Sequence, residues 1–522
     1  MLRLTVAALL LAIGMPWAWS QDVLTYHNNN ARTGLNNAET KLTLSNVNSA
    51  LFGKLFTVSV DGLVDGEPLY LSAVPIQGSG THNLLIVVTE HDSVYAFDAD
   101  TGASIWKITT LKSGETTSDD RGCGQVSPEI GITSTPVISR PSGSNGVIYT
   151  VAMSKDSSGN YHQRLHALDA PTGNELNGGP VDITAKYPGT GDNSSGGYVI
   201  FDPAQYKERS GLLQIGNTIY LTWASHCDIR PYTGWVMGYN ATTLAQTTVL
   251  NVTPNGNEGA IWGAGGGLAA DSVGNILFLD ANGIFDTTLN SKGFPSSGDY
   301  GNAFIKLTTK SALAVTDYFE MDNGQQESNG DVDLGSSGAV ILPAMKDASG
   351  TTWQLAAGGG KDSNIYVVNR NSMGKFNANS NNNYQELVGA LPGGMWSIPA
   401  FSNGRLYFGP QGQPLYEFQF KNAKLLTTAV AKTSNSFGYP GTTPSVSSNK
   451  GANAIVWASE NTNPAVLHAY NAATLVEIYN TNEAANGRDH FGAGNKFIIP
   501  MIANGKVYVG TTNGVGVFGL LP

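Results

Sequence analysis

Between residues 92 and 106 the chain reads DSVYAFDADTGASIW. The apolar run Val94 to Phe97 predicts a strand, Asp98-Ala99-Asp100-Thr101-Gly102 a tight turn, and Ile105-Trp106 the start of a return strand. This hairpin pattern recurs at intervals of roughly 40 to 70 residues. Its best copies are RLHALDAPTGNEL (164–176), GWVMGYNATTLAQ (234–246), NIYVVNRNSMGKF (364–376), PLYEFQFKNAKLL (414–426) and VLHAYNAATLVEI (466–478). A second pattern precedes each copy: a Gly-rich start, a short strand, a turn and another strand, as in GLLQIGNTIYLTWA, WSIPAFSNGRLYFG and IIPMIANGKVYVGTT. A long helical period is absent throughout.

Four short antiparallel strands per unit, repeated, is the pattern of a β-propeller. Eight units begin near Pro68, Gly131, Gly211, Gly265, Gly338, Trp396, Thr442 and Ile498. The last ends at GVGVFGLLP, one strand short, while LFGKLFTVSV (51–60) is a spare strand ahead of the first unit. The expected fold is therefore all-β: an eight-bladed β-propeller spanning 21–522 as a single domain. The N-terminal strand pairs with the last blade, closing the ring and removing an open edge.

Composition adds a setting. Only 13% of residues are charged and 63 are Gly, with Asn, Ser and Thr filling polar positions, as in turn-rich β proteins outside the cell. The net charge of -11 and the lack of a Lys/Arg cluster argue against nucleic acid and anionic membrane surfaces as partners. Arg3, the apolar run Leu4 to Met15 and Ala18-Trp19-Ser20 read as a signal peptide over residues 1–20, so a secreted or periplasmic protein is expected. No other apolar run approaches ~18 residues, so no membrane span is expected. In an exported protein Cys123 and Cys227 are expected to form one disulfide, with two unpaired thiols as the alternative. Two cysteines cannot supply a C-x-x-C-H site, so no c-type haem is expected.

The eight-unit count and the turn AFDADTGASIW resemble the quinoprotein alcohol dehydrogenase family, whose propellers bind pyrroloquinoline quinone (PQQ). The resemblance implies that Trp106 docks one blade on the next. EGAIWGAGGGLAADSVGNILFLDANG (258–283) is similar to the family segment that places Trp262 under the flat cofactor and Asn282 on its calcium ion. GDVDLGSSGAVILP (330–343) resembles the stretch carrying the catalytic base, with Asp333 the better match and Asp331 the second. GGGKDSNIYVVNRNSMG (358–374) resembles the turn whose lysine, here Lys361, faces the quinone oxygens. Two features depart from the family. Its adjacent Cys-Cys pair is missing, and WASHCDIRPYTGW (223–235) lacks the calcium-binding glutamate, leaving Asp228 as the nearest substitute ligand.

That same loop brings His226, Asp228, Arg230 and Tyr232 beside Cys227, a set suited to a sugar or an anionic carbohydrate, with His226 and Tyr232 available for acid–base work. Its plainer reading is a disulfide-stapled loop with satisfied polar groups. Glu90-His91-Asp92 and Tyr26-His27-Asn28 show no metal-ligand spacing. Three functions are therefore expected to compete. The first is oxidation of an alcohol or sugar with PQQ and calcium, passing electrons to a separate acceptor. The second is a cofactor-free binding or scaffold module. The third is a carbohydrate-active lyase or hydrolase.

Overall fold

A computed structural model describes residues 22–522; the expected signal peptide, residues 1–20, lies outside them. The chain is nearly all β, with one α-helix among the described residues, Gly324–Asn329. The opening hairpin shows why the repeats fold as they do. In the turn, Asp98 Oδ1 accepts hydrogen bonds from the Asp100 and Thr101 N–H groups and the Thr101 hydroxyl at 2.8–2.9 Å. Gly102 takes φ +77°, which a side chain would resist. Leu69–Ile76, Gly80–Val88, Ser93–Asp98 and Ser104–Thr109 then form the first sheet, an antiparallel meander in chain order.

Eight sheets of four or more strands follow this plan among the described residues. Their first strands are Leu69–Ile76, Val137–Ser139, Leu213–Ile215, Ala269–Ala270, Val340–Ile341, Ala400–Ser402, Ser445–Asn449 and Met501–Ala503. Each begins a few residues after one of the unit starts read from the sequence. The eighth sheet takes its fourth strand from the N-terminal side: Phe52–Ser59 pairs antiparallel with Gly514–Leu520, from Phe52 opposite Leu520 to Ser59 opposite Gly514.

Neighbouring sheets are joined by a recurring bond. An aromatic donor on one sheet reaches the carbonyl of the second turn residue of the next. Trp106 Nε1–H donates to Ala170 O at 2.9 Å, Tyr149 to Ala241 O at 2.7 Å, and Tyr407 to Ala472 O at 2.7 Å. Tyr508 of the eighth sheet donates to Ala99 O of the first at 3.3 Å. Trp106 is thus an inter-sheet docking residue, and a Cβ on Gly173 would come within 2.8 Å of its ring.

The segment Val23–Asn36 touches the first strand of every sheet, in chain order. Val23 exchanges backbone bonds with Tyr70, and Leu24 O accepts from Ile138 N–H. Asn30 Nδ2–H donates to Gln214 O. Carbonyls of Asn30, Ala31, Thr33 and Gly34 accept from the N–H groups of Ala270, Ile341, Phe401 and Val446. Asn36 Nδ2–H donates to Ile502 O. Buried Arg32 fixes the path, donating to the carbonyls of Tyr26, Leu212 and Leu268. Gly34 is required where the segment crosses itself, because a Cβ there would lie 2.2 Å from His27 Nε2.

Arg32→Met should leave three buried carbonyls without their donor and lower unfolding stability by about 3 kcal/mol or more, read from guanidinium titration. Burial holds the folded His27 imidazole down at about 4, below its unfolded value. Its contribution to stability is complete above pH ~6.5 and is lost as pH falls toward 4. His27→Gln should therefore lose less stability between pH 7 and 4.5 than the parent, by roughly 1–3 kcal/mol, in the same titration.

Candidate functional site

A cavity opens where the loops leading into the eight first strands converge. Asp65 precedes the first strand of sheet one, Gln125 and Val126 that of sheet two, Lys207 and Arg209 that of sheet three, and Trp262 and Ala264 that of sheet four. Asp333 and Ser336 hold this position in sheet five, Trp396 in sheet six, Tyr439 in sheet seven, and Lys496 and Phe497 in sheet eight. Asp228 and Lys361 enter instead from loops between second and third strands. Tyr26, Ala264, Ile398 and Ile499 pack together as an apolar cluster against the cavity's Ala264 wall.

Asp333 and Lys361 form one end of the site. The short turn Leu334–Ser336 lets Gly335 lie on the Asp280–Ala281 backbone, where a Cβ would come within 2.3 Å. This close approach brings the Asn282 N–H to Asp333 Oδ1 at 2.8 Å. Gly360 likewise lies against Asp333 O, and Lys361 N–H donates to that carbonyl at 2.9 Å. Lys361 Nζ then sits 2.6 Å from both Asp333 Oδ2 and Asp331 Oδ1. Burial raises the Asp333 carboxyl above the ordinary range, while Lys361 and the Asn282 N–H oppose that rise. Lys361 is held above its ordinary value because the Asp333 and Asp331 carboxylates outweigh the effect of its burial.

The amide of Asn282 donates to Asp331 through Nδ2, but its Oδ1 is buried and accepts no hydrogen bond. A buried amide oxygen left open beside a carboxylate fits a ligand for a hard cation. The acids do not complete a cage: among the described residues no group of three or more His, Cys, Asp or Glu could hold a metal ion. The half-buried carboxyl of Glu258 is raised by burial and then by Asp228, with Asp333 contributing as well. Sequence reading missed this residue because it looked for a glutamate only within 223–235. The indole of Trp262 and the neighbouring Trp396, Tyr439 and Phe497 offer apolar walls suited to a flat ring.

Another part of the wall is cationic, and its residues were not read from the sequence. Lys207 Nζ donates to Gln125 Oε1 at 2.9 Å and lies 5.5 Å from the Trp262 ring centroid. The Arg209 guanidinium covers the Phe497 ring at 4.1 Å. The one available signal was position, since KERS (207–210) precedes the first strand of its unit.

The other expected residues are arranged differently. Cys123 and Cys227 form the expected disulfide, with Cα atoms 5.5 Å apart, tying the Gln125 loop to the Asp228 loop. Asp228 lines the cavity and accepts the Tyr232 hydroxyl at 2.8 Å. Tyr232 and His226 are both buried, and His226 is lowered to about 3 by burial and then by the charge of Lys207. Arg230 leaves the cluster and pairs with Asp192 at 2.7 Å. Four neighbours in sequence therefore do not form one open polar face. His91 pairs with Glu129, and the two His27 ring nitrogens lie 2.7 Å from Arg32 O and 2.9 Å from Pro444 O, of which the neutral ring donates to one.

No protein-family model and no curated protein sequence matches the chain. Solved structures do. A quinohemoprotein alcohol dehydrogenase from Comamonas testosteroni superposes with a TM-score of 0.63 at 13% identity, over 96% of this chain and 80% of that one. A quinohemoprotein alcohol dehydrogenase from Pseudomonas putida HK5 gives 0.63 at 12% identity, with the same coverage. A europium-containing methanol dehydrogenase gives 0.61 at 12% identity, over 96% of this chain and 98% of that one. The fold is that of the quinoprotein dehydrogenases.

Removing Lys361 isolates a buried carboxylate. Lys361→Met should cost about 3–5 kcal/mol of stability at pH 8. The loss should be smaller at pH 5, because a raised carboxyl loses stability as pH rises through its folded value. Lys361→Met combined with Asp333→Asn should recover most of the loss, as measured by denaturant unfolding at both pH values.

Proposed function

We propose that this protein is an exported eight-bladed quinoprotein-type propeller that oxidises an alcohol or a sugar. The observation that carries the reading is the pair of buried Asp333 and half-buried Lys361 beside the open Asn282 oxygen, in the same cavity as Trp262. The ring is supported by the loops of all eight sheets meeting at one cavity, by the Phe52–Ser59 strand and by the bond from Tyr508 to Ala99. The shared fold supports the same chemistry class.

In this reading Trp262 would hold pyrroloquinoline quinone by its ring face, and Lys361 would supply a cation to its carbonyl oxygens. Asn282 Oδ1 and Asp228 would be the ligands offered to a calcium ion. The quinone, when bound, supplies the two-electron acceptor. Asp333 takes the proton of the substrate hydroxyl. Burial makes its carboxylate a better base than one in water, and Lys361 and the Asn282 N–H hold its two oxygens in position. A separate acceptor would take the electrons.

Purified protein incubated with PQQ and millimolar Ca²⁺ should acquire a bound chromophore and dye-linked oxidation of alcohols or sugars. Asp333→Asn should keep the chromophore and lose turnover by a factor of 10² or more, on the order of removing a general base. Trp262→Ala should weaken quinone binding itself. Absence of any bound quinone would overturn the reading and leave a cofactor-free binding module. The lyase or hydrolase reading has less support, since His226 and Tyr232 are buried.

A further inference from the structure

The first hairpin of sheet one is longer than its fold requires. In sheet six, Ala400–Ser402 and Arg405–Phe408 are joined by Asn403-Gly404 alone. Leu69–Ile76 and Gly80–Val88 are instead eight and nine residues long, and Gln77-Gly78-Ser79 joins them. Leu84 pairs with Asp98, where the next turn begins, so the hairpin runs on past that turn. His82 lies two residues beyond Leu84, on the same side of the strand. Asp98 Oδ1 is taken by the turn, and its Oδ2 accepts from His82 Nδ1–H at 2.6 Å. His82 Nε2 in turn lies 2.9 Å from Ser79 Oγ. Ser79 is exposed, and a Cβ built on Gly78 or Gly80 beside it meets nothing within 4 Å. This corner belongs to the face opposite the cavity, whose lining loops enter first strands or join second strands to third.

We propose that Ser79 is an acyl-accepting nucleophile for small activated esters, with His82 as its general base and Asp98 orienting the imidazole. Hydroxyl, imidazole and carboxylate stand in the order that activates a serine. Asp98, an acceptor only, places the proton of the neutral ring on Nδ1 and leaves the Nε2 lone pair toward Ser79. Ser79 Oγ bonds to the ester carbonyl carbon and its proton passes to His82 Nε2. The bond from that carbon to the leaving oxygen breaks, and the leaving group takes the proton. The products are O-acyl Ser79 and a free alcohol, with nothing oxidised or reduced. An open tip without enclosing walls admits small, reactive acyl donors and selects little among them. No cavity residue takes part, so failure of the quinoprotein reading would leave this site untouched.

The arrangement has a pH signature. The groups facing His82 are Asp98 and the Ser79 carbonyl, and the Thr101 hydroxyl bonds Asp98 from the turn. Asp100 is already held by Asn83 Nδ2–H at 2.7 Å and by Lys506 of sheet eight at 2.6 Å. The bond to Asp98, and then the Ser79 carbonyl 3.0 Å from Nε2, raise His82 above its ordinary value, because the imidazolium satisfies both. The imidazolium cannot take the Ser79 proton. Acylation should therefore be slow below the raised value, climb through it and level off above it.

Purified protein treated with p-nitrophenyl acetate and, separately, with a fluorophosphonate, whose fluoride leaves to give a stable adduct, tests this. The expected result is a single added group, mapped by peptide mass spectrometry to Ser79, at a rate that levels off at high pH. Ser79→Ala should remove the adduct. His82→Gln should slow its formation about 10²-fold, the lower end of what a positioned base supplies. Asp98→Asn should keep the turn, since Asn240 and Asn471 hold the same place in sheets three and seven. It should also slow acylation and return the pH midpoint toward the ordinary histidine value of about 6.5. Labelling of the parent protein needs no variant, so the test survives if a variant fails to fold. No adduct at Ser79 in the parent, or acetyl groups on lysines alone, overturns the proposal. So does an equal rate in His82→Gln, or a rate that climbs in proportion to hydroxide without levelling.

Discussion

The structure depends on one constraint: the inner edges of its sheets carry backbone groups that must be paired away from water. A single segment, Val23–Asn36, meets this requirement for all eight sheets. Its carbonyls, two amide side chains and the Arg32 guanidinium take the place of a ninth set of strands. Because the segment visits the sheets in chain order, it sets their spacing from within. The aromatic-to-carbonyl bonds of Trp106, Tyr149, Tyr407 and Tyr508 do the same further out. The loops that enter the first strands are thereby held at fixed positions around the cavity.

That arrangement separates scaffold from chemistry. The strands are apolar and buried, and the cavity's character comes from one or two residues per loop. Those residues divide into two electrostatic regions. Around Asp333, charges are matched: Lys361 answers Asp333 and Asp331, and Tyr232 caps Asp228. Around Lys207 and Arg209 the pairing is looser: Lys207 bonds the neutral Gln125 amide, and Arg209 stands 3.9 Å from Asp65. Matched charges suit a group that must stay poised.

Much of the fold was legible because its repeats are made by local chemistry. The Asp98–Gly102 turn, the unit starts and the spare strand at 51–60 each follow from short-range pattern, and each appears in the structure where the pattern put it. Trp262, Asp333 and Lys361 were found through resemblance and share a cavity. The axial segment was not legible: TYHNNNARTGLNN has neither strand nor helix periodicity, since its partners are scattered over the whole chain. Lys207 and Arg209 were not legible either, because charge in a sequence does not reveal burial. The loop around Cys227 misled in the opposite sense. Its polar residues are close in sequence, yet Arg230 turns to Asp192 while His226 and Tyr232 turn inward. Proximity along a chain is a poor guide where successive side chains point to opposite sides.

Tyr26 has a consequence for traffic. It belongs to the axial segment, and with Ala264, Ile398 and Ile499 it forms a dry stopper under the cavity. A small molecule therefore has no through-route along the axis and must leave by the mouth it entered. Two compounds cannot pass each other in such a dead end, so release of one precedes admission of the next. Any exchange of one compound for the next would run past side chains that include Gln125, whose loop the disulfide tethers.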